Sequence, residues 1–182
     1  MSEAHPSITL VLGGARSGKS AHAETLARAM AGAERPLYIA TAEAGDAEMA
    51  ARIAAHRVRR AEAWETREIP LELAASLRTH ARPSRAILVD CLTLWLTNLM
   101  LAGRAIETER RLLLDALGSV PGHIVLVANE VGLGLVPETA LGRAFRDEAG
   151  RLNQAVAAIA PRVVFVAAGL PLYLKGEPPH VN

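Results

Sequence analysis

The chain has 182 residues, 51% of them hydrophobic and 21% charged, which is enough apolar material for a sizeable core and excludes a disordered chain. Its 20 basic and 19 acidic side chains leave a net charge of +1, and aromatics make up 3%, so neither an electrostatic footprint for nucleic acid nor a stacking platform for single strands is present. Cys91 is the single cysteine, which excludes an intrachain disulfide and suits a reducing compartment.

Taken in chain order, the first apolar run is Ile8–Leu12, which reads as a buried strand. Met1–Pro6 before it is short and polar, unlike a secretory signal. Gly13-Gly14-Ala15-Arg16-Ser17-Gly18-Lys19-Ser20 follows, and an Ala- and Leu-rich helical pattern runs over Ser20–Ala31. Strand, G-x-x-x-x-G-K-S loop and helix form the setting of a phosphate-binding P-loop. Glycines let backbone N–H groups close around phosphate oxygens, and the helix N-terminus adds positive potential. Lys19 would reach the β- and γ-phosphates and Ser20 would ligate Mg²⁺.

Further strands are expected at Pro36–Ala40, Ala86–Asp90, Ile124–Ala128 and Val163–Ala167. They are β-branched or Leu-rich with little alternation, as in a parallel sheet covered on both faces. Helical patterns lie over Ala47–Arg60, Leu71–His80, Leu92–Leu101, Glu107–Leu117 and Leu141–Ala160, and the tail from Lys175 to Asn182 reads as a loosely held terminus. The alternation predicts an α/β fold of the P-loop NTPase type, a doubly wound, mostly parallel sheet with helices on both faces, forming a single nucleotide-binding domain over residues 1–182. No run is apolar and long enough to span a membrane, so a cytoplasmic protein is expected, with no nucleic acid and no membrane span among its partners.

Ligands of such sheets gather at the carboxyl ends of the strands. Asp90 ends its apolar run at the Walker B position, where an acid holds Mg²⁺ directly or through water. The competing role for Asp90 is as N-cap of the helix that follows, a start that Cys91 or Thr93 could serve instead. Glu130 lies just past the fourth run and either polarises a water or substrate hydroxyl or shapes its own turn. Over Met49–Arg60, helical spacing brings Arg52, His56 and Arg60 or Arg59 to one face. Such a histidine is either a solvated surface group or a phosphate-facing nucleophile kept neutral by flanking arginines. No histidine spacing suits zinc, and no Asn-Lys-x-Asp run marks a regulatory GTPase.

The ordered set of motifs resembles the bifunctional adenosylcobinamide kinase/adenosylcobinamide-phosphate guanylyltransferase family. It comprises the P-loop, Tyr38–Ala42, Asp46-x-Glu48-Met49-x-x-Arg52-Ile53-x-x-His56, Trp64–Thr66, Val89–Thr93 with Asn98-Leu99, Asn129–Gly132 with Gly134 and Val136-Pro137, and Arg143–Gln154. The likeness runs from about Ile8 to Gly169. It implies phosphorylation of adenosylcobinamide with ATP or GTP, and then transfer of GMP from GTP onto that phosphate, giving adenosylcobinamide-GDP for adenosylcobalamin assembly. It further implies a covalent guanylyl group on His56, with Lys19 as the second catalytic residue. Thr41, Ala42, Glu43, Arg57, Val58, Arg59, Arg60 and Glu68 would lie near bound nucleotide, beside Asp90 and the loop residues Gly13 to Ser20. Mg²⁺, held by Ser20 and Asp90, would accompany the nucleotide, and the resemblance implies a homo-oligomer, a trimer.

Overall fold

The computed structural model describes residues 7–32, 34–42 and 63–178. The expected helix at Ala47–Arg60, and with it His56, Glu43, Arg57, Val58, Arg59 and Arg60, lies outside the described residues. Seven strands form one sheet: β1 (Ser7–Gly13), β2 (Leu37–Ala40), β3 (Glu65–Glu68), β4 (Ala86–Asp90), β5 (His123–Asn129), β6 (Arg162–Ala167) and β7 (Leu170–Lys175). Their order is β3-β2-β4-β5-β1-β6-β7, parallel throughout except for the β6–β7 pair. Five helices are described: α1 (Lys19–Met30), α2 (Leu73–His80), α3 (Leu92–Leu101), α4 (Ile106–Ser119) and α5 (Ala140–Ile159).

The uniformly apolar strands are buried on both faces because successive side chains enter different cores. Leu10, Leu12, Ile39, Ile87, Val89, Ile124 and Leu126 point into one core with Leu77, Leu92, Trp95, Leu96, Leu117, Leu152 and Val156 from α2 to α5. Val11, Tyr38, Leu88, Val125, Val127, Val164 and Val166 point into the other, against Ala23, Leu26 and Ala27 of α1 and the Trp64 indole. Alanines on α1 let that helix sit close to the sheet, which sets the height of the loop just before it.

Two strands join the five expected. β3 is Glu-Thr-Arg-Glu, a polar edge strand with no apolar signal in its sequence. Its Glu65 is paired by Arg67 and Arg85. Burial raises the Glu65 carboxyl, and the hydrogen bonds and charges of the two arginines outweigh that and hold it below the usual range. β7 contains Pro171, tolerated because the strand is an edge. It returns from β6 through Ala168 and Gly169, with φ of 52° and 79°, a two-residue hairpin that needs left-handed backbone at both positions. The expected loose tail is therefore corrected at its start. Lys175 belongs to β7, and its Nζ donates to the carbonyls of Ala157 and Ala158 at 3.0 and 3.1 Å.

Candidate nucleotide site

The Gly13–Ser20 loop leaves the end of β1 near the middle of the sheet and leads directly into α1. Gly13 is required by close approach: a Cβ there would lie 2.5 Å from both Ser17 Oγ and the Val166 carbonyl oxygen. Gly18 has φ +94°, and a Cβ on it would meet Gly169 Cα at 3.1 Å. The loop is also held from both sides. Glu130 N–H donates to the Gly13 carbonyl at 3.1 Å, and Gly169 N–H donates to the Ser17 carbonyl at 2.8 Å. The β6–β7 hairpin turn thus braces the phosphate loop, a support that sequence reading did not foresee. The adjacent Ala-Gly dipeptide after a strand was the available signal.

Lys19 is largely buried, and its Nζ donates to the Gly14 carbonyl at 3.0 Å, so the ammonium caps the loop's own concavity. One turn further along α1, His22 Nε2 is buried with no partner among the described residues, and burial lowers its pKa. Arg16 (φ 55°) is exposed at the loop tip.

Asp90 ends β4, two strands from β1, a lateral separation of about 10 Å at normal strand spacing. It does not cap α3. Cys91 does, its Sγ accepting from Leu94 N–H at 3.4 Å. The Asp90 carboxylate instead accepts from the Tyr38 hydroxyl at 2.6 Å, which fixes its rotamer at the sheet edge. Burial, with the Asp90 charge beside it, pushes the Cys91 thiol up to about 11, so this sulfur is an inert neutral group at physiological pH.

Thr41 is fully buried, and its hydroxyl is doubly engaged with the Cys91 backbone. It donates to the Cys91 carbonyl at 2.7 Å and accepts from the Cys91 N–H at 2.8 Å. Asn98 of α3 donates to the carbonyls of Thr41 and Pro70 at 2.7 and 3.1 Å. These bonds join the ends of β2, β3 and β4 into one rigid floor, with Ala42 half-buried at its rim. Glu68 is exposed at the end of β3, four strands from β1 and so about 19 Å from it laterally. It lines a polar hollow of about 450 Å³ with Thr66, Arg67 and Ile69. Glu130 holds its own turn, its carboxylate accepting from Gly132 N–H at 2.6 Å.

The structure therefore brings Gly13, Gly14, Ala15, Arg16, Ser17, Gly18, Lys19, Ser20 and Asp90 to one part of the carboxyl edge. Thr41, Ala42 and Glu68 lie at increasing distance along the same edge. Ser20 and Asp90 offer hard oxygen donors of the kind Mg²⁺ takes beside substrate phosphates. Among the described residues there is no group of three or more His, Cys, Asp or Glu that could hold a metal ion.

The family model described as cobinamide kinase / cobinamide phosphate guanyltransferase matches residues 9–174. The chain belongs to this family. A bifunctional adenosylcobalamin biosynthesis protein of Pseudomonas aeruginosa, CobP, is 57% identical over 174 residues, covering 93% of this chain and 98% of that protein. The corresponding CobU proteins of Salmonella typhimurium and Escherichia coli are 43% and 41% identical, each covering 92% of this chain and 99% of theirs. Membership makes the chain an enzyme, a cobinamide kinase / cobinamide phosphate guanyltransferase. Among solved structures, the P4 protein of bacteriophage phi6 in complex with ADP aligns with TM-score 0.51 at 18% identity, over 91% of this chain and 54% of that one. The flagellar accessory protein FlaH of Methanocaldococcus jannaschii aligns with TM-score 0.51 at 13% identity, over 95% and 80%. These two share the α/β P-loop fold. No helix among the described residues is long and apolar enough to cross a membrane.

Proposed function

We propose that this enzyme phosphorylates adenosylcobinamide with ATP or GTP, and then transfers GMP from GTP to the new phosphate through a guanylyl-histidine on His56. The observation that carries the reading is the braced Gly13–Ser20 loop with buried Lys19, on the same carboxyl edge as a carboxylate positioned by Tyr38, in a chain of the kinase and guanyltransferase family.

In the kinase step the acceptor oxygen attacks the γ-phosphorus, loses its proton, and the nucleoside diphosphate leaves. Lys19 turns from the Gly14 carbonyl to the phosphate oxygens and spreads the charge that develops there with the loop N–H groups. In the second step a ring nitrogen of neutral His56 attacks the α-phosphorus and pyrophosphate leaves. A phosphate oxygen of the corrinoid then displaces the histidine nitrogen and forms the diphosphate. Ser20 and Asp90 would hold Mg²⁺ brought with the nucleotide, which would supply neutralisation of phosphate charge. Glu43, Arg57, Val58, Arg59, Arg60, Thr41, Ala42 and Glu68 belong to the nucleotide surface in this reading. The doubly bonded Thr41 acts there by holding Cys91 and so Asp90.

The reading includes one domain in the cytoplasm and assembly into a homotrimer. Support for assembly comes from the edge strand β7, where Leu170, Leu172 and Leu174 alternate and all three are exposed.

The test is label transfer from γ-labelled ATP or GTP to adenosylcobinamide by the native chain and by Asp90→Asn, which keeps an oxygen acceptor for Tyr38. Wild type yields labelled corrinoid, and Asp90→Asn lowers the rate at least tenfold with Tm unchanged. Undiminished transfer by the variant would remove Asp90 from the site.

A further inference from the structure

A second concavity lies on the same edge of the sheet and nothing above uses it. It is a groove of about 310 Å³ between the C-terminal end of α3 and the N-terminal end of α5. Thr97, Met100 and Leu101 form one wall and Thr139, Leu141 and Phe145 the other. Both walls start at the nucleotide site. α3 begins immediately after Asp90, and Leu101 lies nine residues beyond Leu92, about 14 Å along the helix axis. The opposite wall is reached by the loop after β5, which starts at Glu130, the residue bonded to Gly13 of the phosphate loop. Asn98 keeps α3 at the carboxyl edge by bonding the Thr41 and Pro70 carbonyls.

Its surface is apolar with two hydroxyls in complementary states. Thr97 Oγ1 donates to the Thr93 carbonyl at 3.0 Å, which uses its proton and leaves its lone pairs to accept. Thr139 Oγ1 accepts from Gly142 N–H at 3.0 Å and keeps its proton to donate. One acceptor and one donor set in an apolar groove match a side-chain amide carried on a hydrocarbon body. Leu101 and Leu141 are 77% and 62% exposed at the rim, and the loop leading in carries Leu133 and Leu135 at 82% and 98%. Exposed apolar surface on this scale marks a binding face.

We infer that this groove is the acceptor subsite, holding one amide-fringed edge of the corrinoid macrocycle while a flexible arm carries the reacting hydroxyl or phosphate to Lys19. The inference rests on the proposed reaction for the identity of the acceptor. Continuity with the phosphate loop at one wall and with Asp90 at the other, and the paired hydroxyls, favour a substrate over a second copy of the chain.

The experiment is equilibrium binding of adenosylcobinamide, followed by its own visible absorbance, to the full chain and to Leu101→Asp/Leu141→Asp and Thr97→Val. Both leucines are exposed, so the double variant is expected to fold, and GTP affinity measured alongside verifies it. The proposal expects the corrinoid Kd and KM to rise at least tenfold in the double variant and several-fold in Thr97→Val, with GTP affinity unchanged. Corrinoid affinity equal to wild type in a variant with intact GTP affinity overturns it. A smaller sedimenting species together with unchanged corrinoid affinity also overturns it, and assigns the groove to contact between copies. Should the double variant lose GTP affinity as well, Thr97→Val decides alone, and unchanged corrinoid affinity there refutes the paired-hydroxyl match. Corrinoid that binds wild type without being phosphorylated, and is released by the variants, keeps the subsite while refuting the kinase reading. Corrinoid that does not bind wild type refutes both.

Discussion

Gly13 and Gly14 stand side by side in the same loop, yet the structure assigns them opposite sensitivities. A Cβ on Gly13 would be 2.5 Å from Ser17 Oγ and 2.5 Å from the backbone oxygen of Val166. Both are about 1 Å inside ordinary contact, which starts at 3.4 Å. Ser17 can rotate away, but the Val166 carbonyl belongs to the neighbouring strand, paired with Gly13 in the β1–β6 register. Relief therefore requires separating the ends of β1 and β6. Overpacking of this kind costs about 2–3 kcal/mol, and for a chain of this size that lowers Tm by about 4–12 °C. A Cβ on Gly14 meets nothing within 4 Å, so Gly14→Ala stays within about 0.5 kcal/mol of wild type in the absence of nucleotide. Thermal unfolding of the two variants, with and without nucleotide, measures both effects. Gly13→Ala also weakens nucleotide binding at least tenfold, because the loop it distorts is the phosphate cradle. Equal Tm values for the two alanine variants would refute the steric account of this loop.

Two further outcomes follow from the same framework. Thr41→Val preserves shape but leaves the Cys91 N–H unpaired in a buried site while the Cys91 carbonyl keeps its bond from Trp95 N–H, costing about 1–3 kcal/mol in chemical unfolding, whereas Thr41→Ser keeps both hydroxyl bonds and most of the stability. For His22, burial lowers the folded-state pKa below the unfolded value of about 6.5. The unfolded chain then binds the proton more tightly, so stability contributed by neutral His22 is present above pH 6.5 and declines as pH falls from there to the folded-state pKa. Unfolding titrations of wild type and His22→Gln should diverge in that window, and parallel pH profiles would contradict the assignment.

The parts of this fold that announce themselves in sequence are those whose local chemistry suffices. The strands β1, β2, β4, β5 and β6 are apolar without alternation, and the loop between β1 and α1 carries a motif whose glycines have steric reasons. What sequence reading missed depends on tertiary partners. β3 is Glu-Thr-Arg-Glu and becomes a strand because Arg85, twenty residues away, neutralises Glu65 while β2 supplies a ladder. β7 holds a proline and is admitted only at the sheet edge. At the site, Asp90 was legible as an acid at a strand end, but its partner Tyr38 lies 52 residues earlier and comes beside it only through the β2–β4 register. Thr41 enters the sequence reading only through the family resemblance. That its hydroxyl serves the Cys91 backbone follows only from strand order. The α3–α5 groove has no sequence signal, since its seven lining residues are ordinary helix-end residues brought together by packing.

Guanylyl transfer through His56 is decided by incubating the enzyme with α-labelled GTP and Mg²⁺, denaturing it, and mapping the label by mass analysis. The expected result is an acid-labile GMP adduct on His56, absent in His56→Ala and released as corrinoid-linked diphosphate when phosphorylated adenosylcobinamide is added. Tight GTP binding with no covalent adduct, or transfer that persists in His56→Ala, would contradict it.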